Sequence, residues 1–139
     1  EGAAVAGRTT GGDGEKGPAR RRPRPAAYRL GLRAEALAAL FLRLKGWRIL
    51  ARRYKAGTGE IDIIARRAKT VIFVEVKARA TRDAALAAIT PHAARRISAA
   101  ARQWQSGRGD LQDATLRFDA VLVVPLRLPE HVSNIFEGQ

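Results

Sequence analysis

The sequence predicts an α/β domain in which one central mixed β-sheet is flanked by helices, in the order α-β-β-β-α-β. Three observations carry this expectation. An early apolar pattern has helical period, three short strand-like runs follow it, and a second helical stretch precedes a run that is apolar on both faces in its second half, as a central strand would be. With 139 residues, 46% of them hydrophobic, the chain suffices for one domain with a real core.

In the first helix, Leu30, Ala34, Leu37, Phe41 and Leu44 recur at helical spacing, Arg29, Arg33 and Arg43 take the solvent side, and Gly46 stops the run. The strand-like runs are Trp47–Tyr54, Glu60–Arg66 and Val71–Arg79, separated by Gly57 and Gly59 and by a short polar turn at Ala68-Lys69. The second helix is expected over Pro91–Gln105, with Thr90 as N-cap and Pro91 at its first position. Its apolar stripe is Ala94, Ile97, Ala101 and Trp104. Residues 106–114 read as loop, Leu116–Val124 as the last strand, and Leu128–Gln139 as room for one short helix. Residues 1–27, with six Gly, three Pro and no aromatic residue, read as a disordered basic tail, and 28–139 as the domain. The tail is either a nucleic-acid arm or simply solvated.

Charge and composition narrow the function. There are 26 Lys+Arg against 13 Asp+Glu, a net charge of +13, and without residues 1–27 it is still 20 − 10 = +10. Such a balance points to nucleic acid, whose phosphates exchange counterions for Lys and Arg. A membrane partner is not expected, since no basic amphipathic helix with a bulky apolar face stands out and no apolar run is long enough to span. The absence of cysteine excludes disulfides, thiol nucleophiles and Cys-ligated metals. The expected location is cytoplasmic. His92 and His131 have no metal-ligand spacing, and Phe73, Trp104 and Phe118 read as core.

The informative segments are Gly59-Glu60-Ile61-Asp62-Ile63-Ile64-Ala65 and Val74-Glu75-Val76-Lys77. A tight hairpin pairs residues whose numbers sum to 137, which sets Asp62 opposite Glu75, Glu60 opposite Lys77 and Ile64 opposite Phe73 on one face. Two carboxylates ~5 Å apart repel by roughly 3 kcal/mol at an effective dielectric of ~20. A divalent cation would relieve that repulsion, and Mg²⁺ favours one or two carboxylates with water and phosphate oxygens. Glu35, the one acid of the first helix, lies among Gly31, Ala38, Ala39 and Leu42. It either approaches the sheet or a metal-bound water, or pairs with an Arg or Lys. Lys77 likewise has two readings: an ion pair with Glu60, or an ammonium that orients water or neutralises phosphate. Arg79, Arg82, Arg95, Arg96 and Arg102 form the best set of phosphate contacts.

These residues, with Leu116-Arg117-Phe118-Asp119, resemble the YraN-like (UPF0102) family of small bacterial proteins. That family is similar to the PD-(D/E)XK nuclease superfamily, which includes archaeal Holliday-junction resolvases and restriction endonucleases. The resemblance covers about residues 28–137 and implies a restriction-endonuclease-like fold. It implies that Asp62, Glu75 and the Val76 carbonyl bind Mg²⁺ or Mn²⁺, that Lys77 positions or activates water, and that Glu35 is the helix-borne acid binding metal directly or through water. The implied reaction is metal-dependent hydrolysis of phosphodiester bonds, in DNA rather than RNA and at branched or otherwise structured sites. A homodimer is implied by the two-fold resolvases. The chain departs from the family pattern at Ala93-Ala94, where a lysine often precedes the Arg-Arg pair, and at Ala34, where Gly is common.

Overall fold

The computed structural model describes residues 26–57 and 59–136. Its element order is α1 (Ala26–Leu44), β1 (Arg48–Ala56), β2 (Gly59–Arg67), β3 (Thr70–Ala78), α2 (Arg82–Ala87), α3 (Pro91–Gln105), a 3₁₀ turn (Gly109–Leu111), β4 (Thr115–Val123) and β5 (Glu130–Val132). The strands form one sheet in the order β1-β2-β3-β4-β5. All neighbours are antiparallel except β3 and β4, which the α2–α3 crossover connects in parallel. The sheet is therefore mixed and flanked by helices, as expected. No helix of the described residues is long and apolar enough to cross a membrane.

The β2–β3 hairpin turns through Ala68-Lys69 and pairs Arg67 with Thr70, Ile64 with Phe73 and Ile63 with Val74, so the register is the one whose numbers sum to 137. Beyond Ile63 and Val74 the paired ladder ends, before Asp62 and Glu75. Ile61, Ile64, Val71 and Phe73 pack with Ile97, Ala100, Ala101 and Trp104 of α3 on one side of the sheet. Ile63, Ala65, Ile72, Val74 and Val121 pack with Ala38, Ala39 and Leu42 of α1. Thr90 caps α3 by accepting the Ala93 N–H at 3.2 Å, and Gly46 ends α1 with φ +89°.

Four expectations are corrected. The first helix starts at Ala26, inside the stretch read as tail, while residues 1–25 of that stretch lie outside the described residues. The face of α1 is rotated: Ala34, Ala38, Ala39 and Leu42 are buried, whereas Leu30, Leu37 and Leu44 are exposed by 58%, 42% and 79%. Small side chains let the helix lie close against the sheet, and this close approach outweighs burial of the leucine stripe. Leu30, Leu37, Leu40 and Leu44 thus form an exposed stripe on α1. At the C-terminus a short strand, β5, stands where a helix was expected, and α2 adds a helix capped by the Thr81 hydroxyl, which accepts the Ala84 N–H at 3.1 Å.

Candidate functional site

Where the β2–β3 ladder opens, Asp62 Oδ2 accepts the backbone N–H of Val76 at 2.8 Å, taking the place of a ladder carbonyl. The strands part there, and Glu60, Asp62 and Glu75 stand at the mouth of two concavities. One, of about 360 Å³, faces α1 and is also lined by Gly31, Glu35, Arg53, Lys55, Val76 and Lys77. The other faces α3 and adds Ala93, Arg96 and Ile97. The same three acids line both spaces, so the acidic mouth is reached from either side of the sheet.

Electrostatics mark Asp62 as the most perturbed acid. Burial pushes its carboxyl up to about 7, with the neighbouring Glu75 carboxylate adding to the rise and the Val76 N–H opposing it. Glu75 Oε1 holds Lys77 Nζ at 2.9 Å. Lys77 thus pairs along its own strand, two residues away, and not with the expected Glu60.

Glu35 is 5% exposed, and its Oε1 lies 3.3 Å from Arg52 Nε and 3.6 Å from Arg53 Nε. Glu35 thus meets the sheet and pairs with arginine at once, through two residues of β1. Desolvation raises its pKa despite the two guanidinium groups. Arg53 reaches it from a strand position with φ 49°, a left-handed backbone that interrupts the alternation of β1.

The five arginines are not brought to one patch. Arg96 lines the acidic mouth. Arg95 and Arg102 line a groove on the other flank of α3. Arg82 is held by Glu130 at 2.7 Å, and the Arg79 side chain donates to the Ala78 carbonyl at 2.7 Å.

Two residues do more in the structure than a separator or a member of a motif would. Gly59 separates two strands in the sequence, yet a Cβ there would run into the Arg96 carbonyl and lie 2.9 Å from Ala100 Cβ, so α3 can sit on the start of β2 only over a glycine. Its place directly before Glu60 and Asp62 was the available signal. The other is Asp119, fully buried: Arg117 Nε and Nη2 donate to its two oxygens at 2.8 Å each, His131 Nε2 lies 2.6 Å from Oδ2, and the Asn134 N–H donates to Oδ1 at 2.9 Å. This network ties β5 and the segment after it to β4.

Among the described residues no three His, Cys, Asp or Glu side chains form a group that could hold a metal ion. The donors that fit one are fewer: Asp62, Glu75 and the main-chain carbonyl of Val76. They are hard oxygens at a mouth where two carboxylates repel each other, which suits Mg²⁺ with water completing its shell.

The profile described as "Uncharacterised protein family UPF0102" matches residues 34–123, a span that includes Glu35, Gly59, Asp62, Glu75, Lys77 and Asp119. A UPF0102 protein of Rhodopseudomonas palustris (strain BisB5) is 53% identical over 115 residues, covering 83% of this chain and 88% of that protein. One from Methylorubrum extorquens (strain PA1) is 55% identical over 114 residues, covering 82% and 89%. A third, from Mesorhizobium japonicum, is 53% identical over 116 residues, covering 84% and 93%. With the family profile matched over most of the domain and identities of this size over nearly the whole of each relative, the chain belongs to the UPF0102 family.

Proposed function

We propose that this protein is a metal-dependent endonuclease that hydrolyses phosphodiester bonds in DNA, at branched or otherwise structured sites. The observation that carries the reading is the opening of the β2–β3 ladder at Asp62 and Glu75. In a chain of net charge +13, two mutually repelling carboxylates are held there beside Lys77. A stable sheet has no use for that repulsion, whereas a cation and a phosphate would balance it.

In this reading Asp62, Glu75 and the Val76 carbonyl hold Mg²⁺ or Mn²⁺, which when bound supplies Lewis acidity and an acidified water. The chain's own groups do the rest. The Val76 N–H fixes the Asp62 carboxylate through one oxygen and leaves the other free. Glu75 holds the Lys77 ammonium at the mouth, where it can orient a water or balance charge developing on a phosphate oxygen. Arg96, which lines the α3-facing side of the mouth, would contact a phosphate. Glu35, gripped by Arg52 and Arg53, acts through water or through those arginines rather than as a direct ligand.

A second reading, a nucleic-acid-binding module without catalysis, is favoured by the arginine pairing of Glu35, which occupies the carboxylate that a fuller ligand set would use. One experiment separates the two. The purified chain, with Asp62→Ala and Lys77→Ala variants, is incubated with single-stranded, duplex, flap and four-way-junction DNA in EDTA, Mg²⁺ or Mn²⁺. Metal-dependent cleavage lost in both variants is expected. A metal-induced rise in melting temperature, absent in Asp62→Ala, should accompany it. Tight DNA binding with no cleavage in any metal would establish the binding module instead.

A further inference from the structure

On the flank of α3 turned away from the acidic mouth, Arg95, Ser98 and Arg102 line a second groove, of about 420 Å³, with Phe118 and Phe136. Its floor is the outer end of a chain of aromatic rings. Trp104 meets Phe73 edge-on at 5.7 Å between centroids, Phe73 meets Phe118 at 5.5 Å, and Phe118 meets Phe136 at 5.9 Å. The inner members are core, but Phe118 and Phe136 are only half-buried. Phe136 is held over the groove because the preceding residues are anchored: the Ile135 N–H donates to the Phe118 carbonyl at 2.8 Å, and the Asn134 N–H donates to Asp119.

The walls are cationic. Arg95 and Arg102 are exposed, and among the described residues neither guanidinium has an ion pair or hydrogen bond. No carboxylate lines the groove. Seven residues apart on a helix, the two arginines stand about 10 Å from each other along its axis, enough to bracket one planar ring.

From this geometry we infer that the groove binds single-stranded nucleic acid, with a base stacked on Phe136 and Phe118 and the flanking phosphates held by Arg95 and Arg102. Aromatic faces recognise bases of any identity, but only bases freed from a duplex stack. Half-buried rings flanked by guanidinium groups therefore suit an unpaired strand better than a paired one. The inference deepens the nuclease reading, on which it rests for the polymer being DNA. It assigns the single-stranded segment of a structured substrate to the far side of α3, with α3 between that segment and the acidic mouth.

The test uses the whole chain in EDTA, where no cleavage intervenes. Affinities are measured by fluorescence anisotropy for a 15-nucleotide single strand, for the same strand carrying abasic sites, and for the blunt duplex. The variants are Phe136→Leu, which keeps an apolar side chain, and Arg95→Gln/Arg102→Gln, each checked by thermal melting. Single strand should bind more tightly than duplex. Phe136→Leu should weaken single-strand binding about tenfold and leave duplex binding unchanged. The abasic strand should bind the wild type as weakly as the intact strand binds Phe136→Leu. Groove variants that fold and bind single strand like the wild type would overturn the inference, as would an abasic strand bound as tightly as the intact one. Tighter binding of duplex by the wild type would also overturn it. The nuclease reading is judged separately, by metal-dependent cleavage lost in Asp62→Ala. Cleavage can stand with a groove that fails, and a groove that binds single strand can stand without cleavage.

Discussion

Two aspartates sit in opposite electrostatic surroundings, and each forecasts a different response to substitution. Asp62 faces another carboxylate, and burial together with Glu75 makes its charged form costly. Asp62→Asn keeps an oxygen that can accept the Val76 N–H while removing the repulsion. The metal-free variant should therefore be more stable than the wild type by about 1–3 kcal/mol, the scale of two carboxylates about 5 Å apart, and urea unfolding in EDTA measures this. A loss of stability would show that Asp62 is a structural residue. Asp119 is the reverse case. Burial pushes its carboxyl up, but His131, Arg117 and the Asn134 N–H together hold it below the ordinary Asp value of 3.8. An acid whose folded pKa is depressed adds stability that is complete above its unfolded value and fades as pH falls through the folded one. The wild type should thus lose this contribution only below about pH 3.8. Asp119→Ala, which leaves Arg117 and His131 without their buried anion, should cost about 3–5 kcal/mol at neutral pH. Hydrogen exchange at the Asn134 and Ile135 amides should rise with it, because the anchor of the C-terminal segment is gone.

At the scale of elements, what could be read in advance followed from local rules. The hairpin register was legible as far as Ile63 and Val74 because a tight loop of either two or four residues gives the same pairing; the expected pairs Asp62–Glu75 and Glu60–Lys77 lie beyond the end of the ladder. Helix α3 was legible because Thr90, Pro91 and the Ala94–Ile97–Ala101–Trp104 stripe all agree. Helix α1 misled because its leucines spell a stripe that its packing does not use: Ala34, Ala38 and Ala39 are the contact, and only the sheet opposite decides that. Strand β5 was illegible because three residues carry no periodicity, and its place depends on Asp119, eleven residues upstream of its first residue. The rotated helix is directly testable. Leu37→Gln should change stability by less than about 0.5 kcal/mol, whereas Leu42→Ala should cost about 2–5 kcal/mol. A large cost at Leu37 would mean that the leucine face is covered in the folded chain. Gly59 gives a second test, linking an element contact to the site. Gly59→Ala forces α3 away from β2 at the Arg96 carbonyl, so a loss of about 1–3 kcal/mol is expected. Weaker DNA binding should follow from displacement of Arg96, even though no charge has been changed.

For the whole molecule the question is how a chain of net charge +13 keeps an acidic mouth and could still take up the anionic polymer proposed for it. Cations line that mouth too, Arg53, Lys55 and Lys77 on the α1 side and Arg96 on the α3 side, and a further set lines a different groove. Glu60, Asp62 and Glu75 lie where β2 and β3 part, while Arg95 and Arg102 project from the outer flank of α3. At physiological ionic strength charges are screened over about 8 Å, so in the proposed groove the exposed arginines would act as local phosphate contacts. Local contacts leave a quantitative trace in salt. For single strands each neutralised phosphate adds about −0.7 to the slope of log affinity against log salt. If Arg95 and Arg102 each touch one phosphate, the Arg95→Gln/Arg102→Gln variant should show a slope shallower than the wild type by about 1.4. Phe136→Leu should lose affinity with its slope unchanged, because stacking releases no counterions. Measuring binding between 50 and 300 mM salt (an interval of about this width suffices) in EDTA yields both slopes. If the two variants lost affinity with identical slopes, charge and stacking would not be divided between the wall and the floor of the groove. The arginines would then act through the general field of a basic protein, which any cationic surface of this size could supply.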